Sequence, residues 1–290
     1  MSTSQILWID LQPSLYCLFK RTAQSLGQHF EVKRWSFEHD LDESCDVEVV
    51  HSLMRHTIEN SSNPVHLVGH GISGTIAYLF AQKYPNNISS VSVLSVDTHS
   101  TNQWTSHYQS MRSQLPCSRF HILSHLSRLL VDRKTEKVVN IMARLLAKCL
   151  DNDLVYGSIV NSQPITNLNK AEVPILVING EKDFVVDEQS DIRWRHCLKP
   201  GDCYQKISNG RHFFPFTEWS QTAKMIESFV RMVPEQHQNQ VPNSCKNLSI
   251  SKTNSWIKWI PLTSSSLVED QRVVLVHCIQ QGQIYRQLSL

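Results

Sequence analysis

The stretch Val65-His66-Leu67-Val68-Gly69-His70-Gly71-Ile72-Ser73-Gly74 decides the fold of this 290-residue chain. Its first four residues form an apolar run that is typical of a buried strand, and the residues from Ser73 to Tyr84 have the spacing of a helix that Pro85 ends. Glycines lie between the two. The sequence therefore predicts a strand that enters a helix through a tight, glycine-rich turn.

Strands and helices alternate on both sides of this turn. Apolar runs that are short enough for buried strands span residues 6–10, 30–37, 65–68, 91–96, 173–180 and 204–207. Helical spacing follows most of them and ends at residues such as Gly27 and Pro64. Because strands and helices recur at the spacing of crossover connections, the sequence predicts an α/β fold with a mostly parallel sheet that helices flank on both faces.

The alternation stops between residues 101 and 160, and this divides the chain. Apolar residues recur there at the spacing of two or three amphipathic helices, which predicts a helical cap inserted in a core formed by residues 1–100 and 161–233. Residues 234–255 are rich in Gln, Asn and Ser and are predicted to be a linker. Residues 256–290 are predicted to form a small C-terminal β extension, too short to fold alone, which packs on the main domain or on a partner.

Composition excludes several classes of protein. Hydrophobic residues at 41%, charged residues at 19% and a net charge of +2 are typical of a soluble globular chain, and they argue against a disordered chain or a nucleic-acid partner. We expect no transmembrane segment and no signal peptide, and therefore a cytoplasmic location. The eight cysteines form no CxxC pair. We expect reduced thiols and neither a metal site nor a cofactor.

The glycine-rich turn has two interpretations. Gly69, Gly71 and Gly74 spell GxGxxG, and Asp97 follows at the end of the next predicted strand, where a carboxylate that binds a ribose would lie. On this interpretation the glycines let backbone amides at the start of the helix approach a pyrophosphate. The chain would then be a dinucleotide-dependent enzyme.

The second interpretation is a nucleophile elbow. Residues 67–74 resemble the LVGHSxGG turn of the α/β-hydrolase superfamily, with Gly71 where the serine nucleophile stands. Two later segments resemble the same superfamily in its usual order, a strand leading to Asp183 as the acid and a loop carrying His212 as the histidine. The resemblance spans residues 5 to about 233 and implies a capped α/β-hydrolase fold. Glu181 and Asp187 are nearby alternatives for the carboxylate.

Glycine at the elbow changes the chemistry that the resemblance implies. Serine hydrolases attack with an oxygen that the histidine deprotonates, and Gly71 has no side chain. Ser73 is not an obvious replacement, because two residues along a helix rotate a side chain by roughly 200°. A hydroxyl in the first turn of the helix is the simpler role for Ser73. His70 is expected to point into the structure.

The resemblance also implies an oxyanion hole made of backbone amides. Leu11 and Gln12, after the first strand, are candidates for one donor, because Pro13 has no amide hydrogen. Ile72 is the candidate for the other. Since this first segment departs from the superfamily's His-Gly pattern, it too points away from conventional ester or amide hydrolysis.

Three functions remain open from the sequence. The first is a pseudo-hydrolase that binds a small apolar ligand or a protein partner through its cap, the mouth of its pocket or its C-terminal extension. The second is a residual enzyme in which His212 and Asp183 carry out proton transfer, lyase chemistry or slow hydrolysis. The third is the dinucleotide-dependent enzyme, which uses Gly69, Gly71 and Gly74.

Overall fold

The computed structural model describes residues 4–37, 46–61, 63–99, 102–132, 135–153 and 171–233, and the backbone of residues 279–280 and 283–284. Six of its strands form one sheet in the order β2-β1-β3-β4-β5-β6. Every neighbouring pair in this sheet is parallel, which confirms the predicted fold class. The strands are Gln5–Asp10 (β1), Glu31–Ser36 (β2), Val65–His70 (β3), Ile88–Leu94 (β4), Ile175–Gly180 (β5) and Cys203–Ile207 (β6).

Helices connect these strands and cover both faces of the sheet. After the first strand the chain forms a 3-10 helix, Pro13–Leu18, and then a helix, Lys20–Leu26, with Gly27 as its C-cap, in agreement with the expected helix end. The helices are Lys20–Leu26 (α1), Val47–Glu59 (α2), Ile72–Lys83 (α3), Trp104–Gln114 (α4), Arg119–Leu130 (α5), Glu136–Asn152 (α6), Ser190–Cys197 (α7), Phe214–Thr217 (α8) and Trp219–Met232 (α9).

Two apolar clusters form the core, one on each face of the sheet. Strand β1 contributes to both because its side chains alternate: Ile6 and Trp8 join the first cluster, and Leu7 and Ile9 join the second. Helices α1, α5, α6 and α9 pack in the first cluster, and α2, α3 and α7 pack in the second. The sheet is therefore buried on both faces, as expected of parallel strands.

The helices between β4 and β5 share the first cluster with the sheet. Leu126 and Leu146, from α5 and α6, are fully buried in it together with strand residues. The amide of Phe213 donates to the carbonyl of Leu130 at 3.0 Å, which joins the end of α5 to the loop after β6. The boundary of the predicted cap at residue 160 lies outside the described residues, so this division of the chain stays a prediction.

The C-terminal region is described only in part. Strands Ile279–Gln280 (β7) and Gln283–Ile284 (β8) pair antiparallel, in agreement with the predicted pairing around Gly282. The linker at 234–255 and the rest of the extension lie outside the described residues. Within the described ranges, no helix is long and apolar enough to cross a bilayer. The five cysteines in these ranges form no disulfide bonds.

Candidate functional site

The predicted site residues meet at the carboxyl edge of the sheet. The chain runs from β1 to β2 on one side and places β3 on the other side of β1, so the connections diverge between β1 and β3. Such a switch point leaves a crevice at the carboxyl ends of the strands. Gly71 follows β3 there, Asp183 follows β5, and His212 follows β6.

Gly71 occupies a sharp turn between β3 and α3. Its φ is 53° and its ψ is −123°, a conformation that L side chains rarely adopt. Its amide donates to the carbonyl of Leu94 at 2.9 Å, and its carbonyl accepts from the amide of Thr75 at 2.9 Å. The turn is thereby fixed to β4 on one side and to α3 on the other.

Gly69 and Gly74 let the strand and the helix of this turn pass close to each other. A Cβ atom on Gly69 would lie 2.6 Å from the amide nitrogen of Gly74, and a Cβ on Gly74 would lie 2.7 Å from the carbonyl oxygen of Gly69. Both distances are shorter than any ordinary contact. Backbone packing within the elbow thus accounts for these two glycines of the GxGxxG pattern.

The side chain of Asp97 is also hydrogen-bonded within the protein. Its carboxylate is buried and accepts hydrogen bonds from the amides of His99 and Asp187, at 2.8 and 2.7 Å, and from the Arg193 guanidinium at 3.2 Å. A ribose hydroxyl would have to compete with these donors. Gly69, Gly74 and Asp97 therefore have contacts within the protein that account for them without a dinucleotide.

Asp183 and His212 form a buried hydrogen-bonded pair. His212 Nδ1 lies 3.0 Å from Asp183 Oδ2, and the amide of Val185 donates to Asp183 Oδ1 at 2.9 Å. Burial alone would raise the pKa of Asp183, but His212 and these hydrogen bonds outweigh burial and hold the pKa below its ordinary value. The charged carboxylate accepts the proton at Nδ1, so Nε2 of a neutral His212 is a hydrogen-bond acceptor.

The two alternative carboxylates bind elsewhere. Glu181 Oε2 accepts from the amide of Asn209 at 2.9 Å, and Asp187 Oδ1 accepts from the amide of Gln189 at 2.7 Å. Both side chains are exposed, in contrast to that of Asp183. Asp183 is therefore the carboxylate that orients His212.

The backbone of His212 is held independently of its ring. Its carbonyl accepts a hydrogen bond from Ser95 Oγ at 2.7 Å and another from His70 Nε2 at 2.8 Å. Burial lowers the pKa of His70 to about 3, so His70 is a neutral donor. Its ring stacks on that of Phe213, with the centroids 5.2 Å apart. His70 thus supports the histidine loop from beneath.

His212 Nε2 faces the position that a side chain on Gly71 would occupy. A Cβ atom built on Gly71 would lie 3.9 Å from His212 Nε2 and 3.6 Å from Gln103 Oε1, both ordinary contact distances. Nε2 is buried and has no hydrogen-bond partner among the described residues. The geometry of an elbow that faces a histidine is therefore present, with glycine at the turn.

Helix α4 adds two residues that the sequence did not indicate. Gln103 immediately precedes α4 and is buried against the elbow. His107, one turn further, packs its ring on Phe184 with the centroids 4.9 Å apart. Burial lowers the pKa of His107, and the nearby His212 lowers it further. The start of α4 therefore forms one wall of the site.

Two of the three predicted oxyanion donors are engaged within the protein. The amide of Leu11 donates to Ser73 Oγ at 3.0 Å, and the amide of Gln12 donates to Asp10 Oδ1 at 3.1 Å. The expectation that Leu11 or Gln12 supplies an oxyanion donor is not supported by this geometry. Ile72 begins α3, and amides in the first turn of a helix have no acceptor within it.

Comparisons with known proteins find relatives that are themselves uncharacterized. No protein-family model matches it. The uncharacterized protein sll0249 of Synechocystis is 31% identical over 238 residues, which cover 80% of this chain and 92% of the relative. The chain belongs to the sll0249 family. The uncharacterized protein alr2406 of Nostoc is 28% identical over 214 residues, or 73% of this chain and 84% of the relative.

Solved structures identify the fold of this sll0249-family chain. The enol-lactonase from Burkholderia xenovorans superposes with a TM-score of 0.64 at 15% identity, covering 80% of this chain and 92% of the lactonase. An alpha/beta hydrolase enzyme, MGS-M2, from a deep-sea metagenome library superposes with a TM-score of 0.62 at 14% identity, covering 81% and 91%. The resemblance to the α/β-hydrolase superfamily is confirmed for the fold.

Proposed function

We propose that this chain is an α/β-hydrolase-fold protein without serine-hydrolase activity, and that it binds a small ligand beside Gly71. The observation that carries the proposal is the contact geometry of the elbow. The position of a Gly71 side chain faces Nε2 of a His212 that Asp183 orients, yet no hydroxyl projects from the turn. The machinery for deprotonating a nucleophile is present and the nucleophile is not.

The remaining hydroxyl and the oxyanion donors support the same conclusion. Ser73 is buried, and its oxygen accepts the Leu11 amide, so it points to β1 and not to His212. That bond also removes Leu11 as an oxyanion donor. One such donor contributes about 3–4 kcal/mol to stabilising the transition state of acyl transfer. Nucleophilic attack on an ester therefore lacks its nucleophile, and stabilisation of the oxyanion that would form lacks a donor.

Ligand binding would supply the hydrogen bond that the histidine lacks. A buried polar atom without a hydrogen-bond partner costs about 1–3 kcal/mol, and within the described part of the chain Nε2 of His212 is such an atom. A ligand that donates a hydrogen bond to Nε2 recovers this free energy as affinity. Binding of a protein partner through residues 101–160 or 256–290, and a cytoplasmic location, stay predictions from the sequence.

A fluorophosphonate probe and a panel of aryl esters test the absence of serine hydrolysis. We expect no covalent label on the native chain and turnover no faster than that of His212→Ala. Gly71→Ser should acquire labelling at residue 71 with little turnover, because the amides of Leu11 and Gln12 stay engaged within the protein. Gly201→Ser is the matched control, since Gly201 also has a positive φ and open space around it. Labelling of native Ser73 would overturn the proposal.

A second candidate function is proton transfer by the Asp183–His212 pair. The observation that favours it is the buried imidazole of His212, whose Nδ1 is hydrogen-bonded to the carboxylate of Asp183 and whose Nε2 has no partner among the described residues, which is the arrangement of a general base. Exchange of the central C–H protons of 2,4-pentanedione for deuterium, followed by NMR, measures this activity directly. Exchange that is faster with the native chain than with His212→Gln would favour the second candidate over binding alone.

A further inference from the structure

We infer that helix α6 binds an anionic lipid surface through its outward face, which carries Lys137, Ile141, Arg144 and Lys148. We call these four residues the cationic stripe. Binding of this kind is independent of the proposed function, since none of the four residues belongs to the site at Gly71.

The spacing of the four residues places them on one face of α6. They stand at positions i, i+4, i+7 and i+11 of the helix, and all four are exposed. Ile141 is 50% exposed and lies among the cations. A helix rises by about 1.5 Å per residue, so the cationic stripe is about 16 Å long from Lys137 to Lys148.

The opposite face of α6 keeps the cationic stripe directed outward. Met142, Ala143 and Leu146 are buried in the first apolar cluster. At the C-terminal end of the helix, the carboxylate of Asp153 accepts hydrogen bonds from the amide of Ser14 at 3.0 Å and from its hydroxyl at 2.8 Å. The helix therefore cannot turn the stripe inward without losing buried contacts and both of these hydrogen bonds.

The acidic residues of α6 do not neutralise the cationic stripe. The guanidinium of Arg128 lies 3.2 Å from Glu136 Oε2, and that of Arg119 lies 2.7 Å from Asp151 Oδ1. Both arginines belong to α5. Within the described part of the chain, by contrast, the three cations of the stripe have neither an ion pair nor a side-chain hydrogen bond. Arginines of α5 thus compensate the carboxylates of α6 and leave three positive charges on its outer face.

An anionic lipid surface complements both the charge and the apolar residue of the stripe. Basic side chains near a membrane surface are attracted by anionic headgroups. The outer face of a helix is convex, so a flat surface can contact the stripe along its length. Ile141 can enter the boundary of the acyl region while the long basic side chains keep their charges among the headgroups. Duplex DNA or a purely acidic polypeptide would bind the cations and leave Ile141 without an apolar contact.

Sedimentation of the full chain with sucrose-loaded vesicles tests this inference. We expect binding to vesicles of equal parts phosphatidylcholine and phosphatidylserine, and little binding to vesicles of phosphatidylcholine alone. Added NaCl should weaken the binding, because it screens the exposed charges. Equal binding to the two kinds of vesicle, or no binding to either, would overturn the inference. Binding to the anionic vesicles that is insensitive to salt would overturn it as well.

Variants with matched charge locate the binding surface. Arg144→Gln combined with Lys148→Gln should lower the partition constant about 25-fold, or about fivefold for each cation removed. Arg195→Gln combined with Lys224→Gln removes the same two residue types from exposed positions on α7 and α9, and should bind as the native chain does. Ile141→Ser should weaken binding and leave its dependence on salt unchanged.

The same variants distinguish lipid binding from general attraction to anions. Equal losses in the two double variants would overturn the inference, because binding would then follow net charge alone. Retention of the native chain on immobilised duplex DNA or polyglutamate, without binding to the anionic vesicles, would overturn the choice of lipid. All substituted side chains are exposed, and far-UV circular dichroism of each variant confirms that a change in binding is not a loss of fold.

Discussion

Substitution of Gly71 by serine and by alanine separates backbone strain from the hydrogen bond that a hydroxyl would form. Both variants place a Cβ in a turn whose φ is 53°. Neither Cβ meets an atom closer than 3.6 Å, so the cost is conformational and not a collision. A residue held in a sparsely populated φ/ψ region costs about 1–3 kcal/mol, and we expect Gly71→Ala to lower the free energy of unfolding by that amount.

Gly71→Ser bears the same strain but adds a donor for His212 Nε2. A Cβ 3.9 Å from Nε2 leaves an Oγ within hydrogen-bond reach of it. Because Nε2 is buried without a partner among the described residues, this bond should recover about 0.5–1.5 kcal/mol. The serine variant should therefore be more stable than the alanine variant and close to the native chain.

Urea unfolding of the three chains, followed by far-UV circular dichroism, measures both differences. Repeating the pair in a His212→Ala background removes the acceptor, and there serine and alanine should be equally stable. The reasoning is refuted if alanine is as stable as serine in the native background, since Nε2 would then not face residue 71. It is refuted equally if the advantage of serine survives in His212→Ala.

Further expectations follow from the elbow, from Asp97 and from buried histidines. Gly69→Ala should destabilise the fold by at least about 3 kcal/mol in urea unfolding, because its Cβ would lie 2.6 Å from Gly74; a cost below that of Gly71→Ala would contradict the packing argument. Asp97→Ala should cost about 1–3 kcal/mol, since it removes the acceptor of the amides of His99 and Asp187, and unchanged stability would show that the carboxylate is dispensable. Burial lowers the pKa values of three histidines, to about 4 for His51 and His66 and to about 3 for His70. The unfolded chain then binds more protons than the folded chain below pH of about 6.5, so the free energy of unfolding should fall as the pH decreases, by up to about 1.4 kcal/mol per unit for each histidine. Urea titrations at several pH values should give a shallower slope of the free energy of unfolding against pH for His66→Gln. An equal slope would show that groups other than His66 bind these protons.

The sequence predicts the sheet well because burial on both faces leaves a clear signal. Strand β5 begins with four consecutive apolar residues, 175–178, and its predicted position agrees with the structure. Strand β4 begins earlier than predicted, at Ile88, because Ser90 and Ser92 interrupt its apolar pattern although both are buried. Ser90 is satisfied by His66, whose Nδ1 lies 2.8 Å from its Oγ. A polar pair across two strands is not visible in either strand alone.

The sequence pattern does not predict helix α7, and the reason is different. Only Ser190 and Trp194 are buried among its eight residues, so it has no periodic apolar face to detect. Trp194 is nevertheless fully buried, and its Nε1 donates to the carbonyl of Val96 at 2.9 Å. One buried aromatic side chain at the crossover is sufficient to dock a short helix, but a single tryptophan produces no periodic apolar pattern in the sequence.

The sequence predicts the site residues that directly follow strands. It does not predict the residues that reach the site from other segments of the chain. Asp183 and His212 come directly after β5 and β6, so the order of the strands brings them together. Gln103 reaches the elbow only because the segment after β4 passes over it. The bond between Leu11 and Ser73 likewise joins two segments that are distant in sequence, and it cannot be inferred from either motif.

The close contact of the acid and histidine loops has a consequence for loop grafting. A Cβ on Gly180 would collide with the carbonyl of Gly210, and the amide of Lys182 donates to the same carbonyl at 2.8 Å. The amide of Glu181 donates to the carbonyl of Ile207 at 3.0 Å. The two loops are therefore one transplantable module. A loop taken from another protein of this fold should be accepted only together with its opposite loop, and the histidine loop must also keep the hydrogen bond that His70 of the elbow donates to the carbonyl of His212.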